Sequence, residues 1–128
     1  MNPRVAVAGA GYFAQFHLEA WKRLEAQGLV ELVALAEPDP VRREGALATH
    51  GIARGFADAE TMLAGIDADL FDIATPPPTH LGLVRLAAAH GIACISQKPL
   101  APTYAEAVQL VEVAQAAGIL LAVHENFR

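Results

Sequence analysis

Cysteine is almost absent. The single thiol, Cys94, rules out an intrachain disulfide, and its place inside the apolar run "IACIS" suits a small buried hydrophobe better than a reactive group. Although 54% of the residues are apolar, no uninterrupted apolar run approaches the ~20 residues that a bilayer span requires, so a membrane helix is excluded. The N-terminus "MNPRVAVAG" has too short an apolar stretch for a signal peptide, and a cytoplasmic location is expected. Basic clusters are missing as well. Nothing longer than Arg42-Arg43 occurs, and a net charge of -5 repels phosphate backbones, so nucleic acid is not an expected partner. No His and Cys spacing suits a metal, and there is no internal repeat, low-complexity tract or linker. The length fits one domain with one core.

What the chain does have is a regular punctuation by glycine. Gly28, Gly51, Gly65, Gly91 and Gly118 are each followed by Leu or Ile, the pattern of a helix C-terminus whose next apolar residue folds back on the last turn. Helix starts are marked by Asp39 before Pro40, by a capping box of Thr103 and Glu106, and by Asp58 and Thr79. In the last helix Tyr104, Ala107, Val108, Val111 and Ala114 share one face, which is expected to cover a sheet. Between the helices lie apolar runs at 5–9, 32–36, 70–75, 92–96 and 119–123, with a weaker strand at 52–56. Most lack alternation, as parallel strands covered on both faces do. Strand and helix alternate to the end, which predicts an α/β doubly wound parallel sheet of about six strands with helices on both faces.

Directly after the first strand comes "GAGYFA", in which Gly9, Gly11 and Ala14 fit G-x-G-x-x-G/A. The first glycine permits a tight turn, the second lets the backbone approach a diphosphate, and the small third residue lets helix pack close to strand. The phosphates would then meet the free N–H groups of a helix N-terminus. The second strand ends at Glu37, where an acidic side chain can accept hydrogen bonds from ribose hydroxyls, a position that favours NAD. Arg42 and Arg43 are close enough to pair with the 2'-phosphate of NADP, or equally to be solvated residues of a surface helix.

Ligands of open parallel sheets bind beyond the C-terminal strand ends. To that edge the fourth strand delivers "ATPPPTH", the fifth "SQKPL" and the sixth "VHENFR". Taken with the glycine motif and in this order, "TPPPTH", "QKPL" and "HENFR" resemble the glucose-fructose oxidoreductase, inositol dehydrogenase and MocA (Gfo/Idh/MocA) family of NAD(P)-dependent oxidoreductases. The resemblance spans essentially the whole chain. It implies cofactor contacts at Gly9, Gly11, Tyr12, Phe13 and Glu37, with Thr75, Pro76, Pro77 and His80 further along the ligand. It places Lys98 on the family's catalytic lysine, Gln97 where the family has Glu, and Asn126 on a polar position near the nicotinamide.

Pro99 disfavours a helical conformation for Lys98 and holds it extended at the strand tip, where its cation can stabilise charge developing on a substrate oxygen. Gln97 can accept a hydrogen bond but carries no charge to hold the ammonium. His80 has two readings of equal weight, a contact beside the nicotinamide or a ring that hydrogen-bonds nearby backbone; His17, His50 and His90 are expected on the surface, and His124 stays open. The resembled family has a second domain that holds the substrate and often makes subunit contacts. Arg128 falls where that domain would begin, so the chain is expected to be the cofactor-binding portion of a longer oxidoreductase acting on a sugar, inositol or polyol. The alternative is a stand-alone dinucleotide-binding module without chemistry. Apolar surface near the last strand makes a homo-oligomer an expected possibility.

Overall fold

The computed structural model describes residues 2–124. Strands β1 (Arg4–Ala8), β2 (Glu31–Ala36), β3 (Gly55–Phe56), β4 (Leu70–Ile73), β5 (Ala93–Gln97) and β6 (Leu121–His124) alternate with helices α1 (Tyr12–Ala26), α2 (Pro40–His50), α3 (Ala59–Gly65), α4 (His80–Ala89) and α5 (Tyr104–Ala117). The strands form one sheet in the order β3-β2-β1-β4-β5-β6, every pairing parallel. The predicted doubly wound α/β fold is therefore present, and strand order reverses between β1 and β4.

Side-chain alternation along the strands explains which helices cover which face. Val5 and Val7 of β1 point with Leu32 and Leu35 toward Leu18 of α1 and Ala46 of α2. Ala6, Ala8, Ala34 and Ala36 point the other way, toward Met62 of α3, Val84 and Ala87 of α4, and Leu110 and Ala114 of α5. Two helices thus lie on one face and three on the other. Phe71 and Ile73 of β4 fill the three-helix side, whereas Asp72 between them faces α1. Cys94 is buried on the three-helix side, and burial pushes its thiol up to about 11, consistent with an inert packing role.

Several local expectations needed correction. Four of the five glycines, at 28, 51, 91 and 118, adopt the left-handed conformation, but Gly65 does not. It is the last residue of α3 and its carbonyl is capped by Arg54 Nη1 at 3.2 Å, a partner eleven residues earlier. Asp39, Asp58 and Thr103 cap their helices through side-chain oxygens, whereas the Thr79 hydroxyl donates to the Pro76 carbonyl at 2.7 Å. The three prolines before Thr79 make a 3-10 turn there that satisfies it first. β4 ends at Ile73; Ala74 still donates its N–H to the Ala8 carbonyl at 2.9 Å before the chain reaches those prolines, which have no N–H to extend a ladder. In α5, only Leu110 and Ala114 are buried, while Tyr104, Val108 and Val111 are exposed. The apolar stripe is wider than the surface available to it, since β6 is a short edge strand with nothing described beyond it. Among the described residues no helix is long and apolar enough to cross a membrane.

Candidate functional site

The site is built at the C-terminal ends of β1, β4 and β5. After β1 the chain turns at Gly9, with φ +113°, and the Gly9 N–H donates to the Ala36 carbonyl at 2.9 Å. A Cβ on Gly9 would stand 2.4 Å from the carbonyl oxygen of Ala74, so only glycine fits between the first and fourth strand ends. Gly11 is the N-cap of α1. It offers no side-chain cap, the first turn has no acidic residue, and a Cβ there would meet no protein atom within 4 Å. The helix therefore presents unpaired N–H groups and the positive end of its dipole to open space. A diphosphate fits that donor set, and no side chain among the described residues caps it.

Glu37 is buried at the end of β2 and braces the turn. Its Oε1 accepts from Ala10 N at 2.8 Å and its Oε2 from Asp39 N at 3.0 Å. These bonds use two of about four acceptor sites on the carboxylate, which leaves capacity for ribose hydroxyls. The two arginines nearby have other partners: Arg43 Nη1 donates to the Glu37 carbonyl at 2.8 Å, and Arg42 pairs with Asp39 at 3.7 Å.

Beyond the turn a cavity of about 980 Å³ opens along α1. Gly11, Tyr12, Phe13, Thr75, Pro76, Pro77, Gln97 and Lys98 line it, so most of the residues predicted from sequence are gathered on one wall or another. Gly9 lies beneath the lining and Glu37 beside it, both held to Ala36 or Ala10 in the same turn. Lys98 is exposed at the mouth, its backbone N–H donating to Gln97 Oε1 at 3.2 Å, and the Lys98–Pro99 peptide bond is cis. Among the described residues no carboxylate pairs with its ammonium. Asn126 lies outside the described residues. Of the two readings for His80 the structure realises the backbone one: the ring is fully buried and does not line the cavity, which corrects the contact expected beside the nicotinamide. Among the described residues no group of His, Cys, Asp and Glu could hold a metal.

The deep end of the cavity was not foreseen. His17, expected on the surface, is buried against Asp72, with Nδ1 2.9 Å from Oδ2, and Trp21 Nε1 donates to the same oxygen at 2.7 Å. The His124 ring lies 4.9 Å from that of His17. His17 and Trp21 are four residues apart and so share one face of α1. The readable signal was the carboxylate of Asp72 inside an otherwise apolar strand, which needs partners once buried. The Asp72 carboxylate raises the His17 pKa above its ordinary value, first through the hydrogen bond and then through its charge, against the opposing effect of burial. A raised folded-state pKa stabilises the fold below the unfolded pKa of about 6.5 and ceases to do so as pH climbs through the folded value. Unfolding by urea from about pH 5.5 to about pH 8.5 should therefore show the advantage of the native protein over His17→Gln shrinking as pH rises. An advantage independent of pH would contradict the ion pair.

Comparison with known proteins bears on the same residues. Residues 3–125 match the Gfo/Idh/MocA family model, described as an oxidoreductase family with an NAD-binding Rossmann fold. D-apiose dehydrogenase of Paraburkholderia graminis is 44% identical over 96% of this chain and 32% of its own length, and that of Rhizobium rhizogenes is 38% identical over 96% and 35%. Among solved structures, an oxidoreductase from Agrobacterium radiobacter in complex with NAD+, L-tartaric acid and magnesium superposes with a TM-score of 0.93 at 36% identity, covering 100% of this chain and 36% of its own. The chain thus spans about a third of the length of the relatives it matches.

Proposed function

The chain belongs to the Gfo/Idh/MocA family of NAD-binding oxidoreductases, and from that premise we propose that it binds NAD for hydride transfer from an alcohol carbon of a sugar, inositol or related polyol, or in reverse to the corresponding carbonyl carbon. The observation that carries the reading is the single cavity onto which the uncapped N-terminus of α1, the Thr75–Pro77 turn and Lys98 all open. NAD, when bound, supplies the hydride acceptor. The chain's own residues bind, orient and neutralise.

The α1 N-terminus at Gly11, Tyr12 and Phe13 receives the diphosphate through backbone N–H groups. Glu37, anionic and fixed by two backbone donors, accepts from the adenosine ribose and repels a 2'-phosphate. Because Arg42 and Arg43 have other partners, NAD is the favoured cofactor over NADP. Thr75, Pro76 and Pro77 form a stiff wall for the nicotinamide half, with Gln97 on the facing side. Lys98 sets its ammonium at the mouth, where a cation stabilises negative charge that builds on the substrate oxygen as its proton leaves. D-apiose, the substrate named for two relatives, makes a sugar the first class to try.

The share of each relative that is covered supports a further part of the proposal: these residues are the cofactor-binding domain, and substrate is held by a second domain. Titration of the 128-residue chain should therefore show binding of NAD, weaker binding of NADP, and little or no NAD reduction with D-apiose, inositols or other polyols. Absence of affinity for both dinucleotides in folded protein would refute the reading, and tighter NADP binding would refute the role given to Glu37. Joined to the family's second domain, Lys98→Met should abolish turnover while leaving cofactor affinity within about twofold.

A further inference from the structure

We propose that His80 is a positioning residue that clamps together the two lips of the cavity and so sets the place of Lys98 opposite the nicotinamide half of the ligand, an inference that rests on the nucleotide reading above. His80 is the first residue of α4 and is fully buried. Its Nε2 lies 2.7 Å from the Thr75 carbonyl oxygen, and its Nδ1 lies 2.9 Å from the Leu100 carbonyl oxygen and 3.1 Å from Ser96 Oγ. Thr75 belongs to the turn after β4, Ser96 lies within β5, and Leu100 lies in the segment after β5, two residues beyond Lys98. One imidazole thus spans both segments, and the width of the ring fixes their separation. A neutral imidazole carries one N–H: with it on Nε2 the ring donates to the Thr75 carbonyl and Nδ1 accepts from the Ser96 hydroxyl, so both nitrogens are directed at protein groups and not at a ligand.

Among the described residues the lysine segment has few other fastenings. Outside the helices and strands, no described backbone–backbone hydrogen bond involves residues 98–102. Among the described residues its polar contacts are the Leu100 carbonyl, 2.9 Å from His80 Nδ1, and the Lys98 N–H donating to the side chain of its own neighbour Gln97. The Leu100 side chain adds an apolar contact with the core. A loop held this way depends on the ring for its register against the Thr75–Pro77 wall. The glycine turn and Glu37 are braced independently through Ala36, Ala10 and Asp39. Losing the clamp should therefore affect the nicotinamide end of the site and spare the adenosine end.

NADH and ADP-ribose separate these two ends, because ADP-ribose lacks the nicotinamide ring. In the 128-residue chain, His80→Phe should weaken NADH binding about tenfold and leave ADP-ribose binding within about twofold, and His80→Gln, which retains a donor for the Thr75 carbonyl, should recover part of the NADH loss. Equal losses for both ligands would mark a merely structural role, and unchanged binding of both would remove the clamp; either result overturns the inference. If native protein binds neither ligand, the nucleotide reading fails and takes this inference with it. If His80→Phe does not fold, proton NMR of the native chain decides. A ring N–H of His80 that exchanges slowly and lies close to Thr75 or Leu100 is expected. A ring exchanging as fast as that of exposed His90 would overturn the clamp.

Discussion

Gly11→Val should leave the protein folded and cost about a hundredfold or more in NAD affinity. The backbone at Gly11 has φ -77° and ψ -168°, an extended conformation open to any residue, and a Cβ would meet nothing within 4 Å. The folding penalty is therefore limited to the weaker N-cap preference of valine, about 1 kcal/mol or less. The new side chain would instead stand in the space in front of the α1 N–H groups, where the diphosphate is to lie. Calorimetric titration with NAD, beside a thermal melt, separates the two effects. Retained affinity would move the diphosphate elsewhere, and loss of the fold would show that the space is not free.

Gly9→Ala, two residues earlier, should do the reverse and damage the fold before it touches any ligand. With φ at +113° the residue sits where a side chain is strained, and the added Cβ would come within 2.4 Å of the Ala74 carbonyl oxygen and 2.9 Å of its carbon. That carbonyl cannot retreat freely, because the Ala74 N–H is tied to the Ala8 carbonyl at 2.9 Å. Strain and clash together should cost about 3–5 kcal/mol, a large part of the roughly 5–15 kcal/mol that holds a domain together. Denaturant unfolding would measure it directly. A loss below about 1 kcal/mol would mean that the turn adapts and that glycine is not required there.

The contrast between these neighbours shows what could and could not be read from the amino acids. The need for glycine at both positions, one for a tight turn and one for the approach of a diphosphate, was legible from the motif; that the turn glycine is wedged against the chain leaving the fourth strand was not. Local signals transferred well. Asp39, Asp58 and Thr103 cap helices because an N-cap needs only its own next turn. Apart from Thr79, whose hydroxyl is taken by the Pro76 carbonyl three residues earlier, failures came where a distant partner decides. Arg54 closes α3 in place of a left-handed Gly65, and Asp72 draws His17 and Trp21 inward from more than fifty residues away. His80 follows the same rule, its partners Ser96 and Leu100 being invisible to any local pattern. The stripe on α5 failed for a different reason, since periodicity reports which residues share a face but not how much surface waits to receive them.

The burial of Cys94 also has a practical consequence. As the sole thiol in the chain, 1% exposed and held protonated by its surroundings at neutral pH, it is closed to alkylating reagents while β5 stays packed under α4 and α5. Any modification at that sulfur therefore counts openings of this half of the sheet, and its rate under native conditions reads the free energy of that opening without a label having to be introduced.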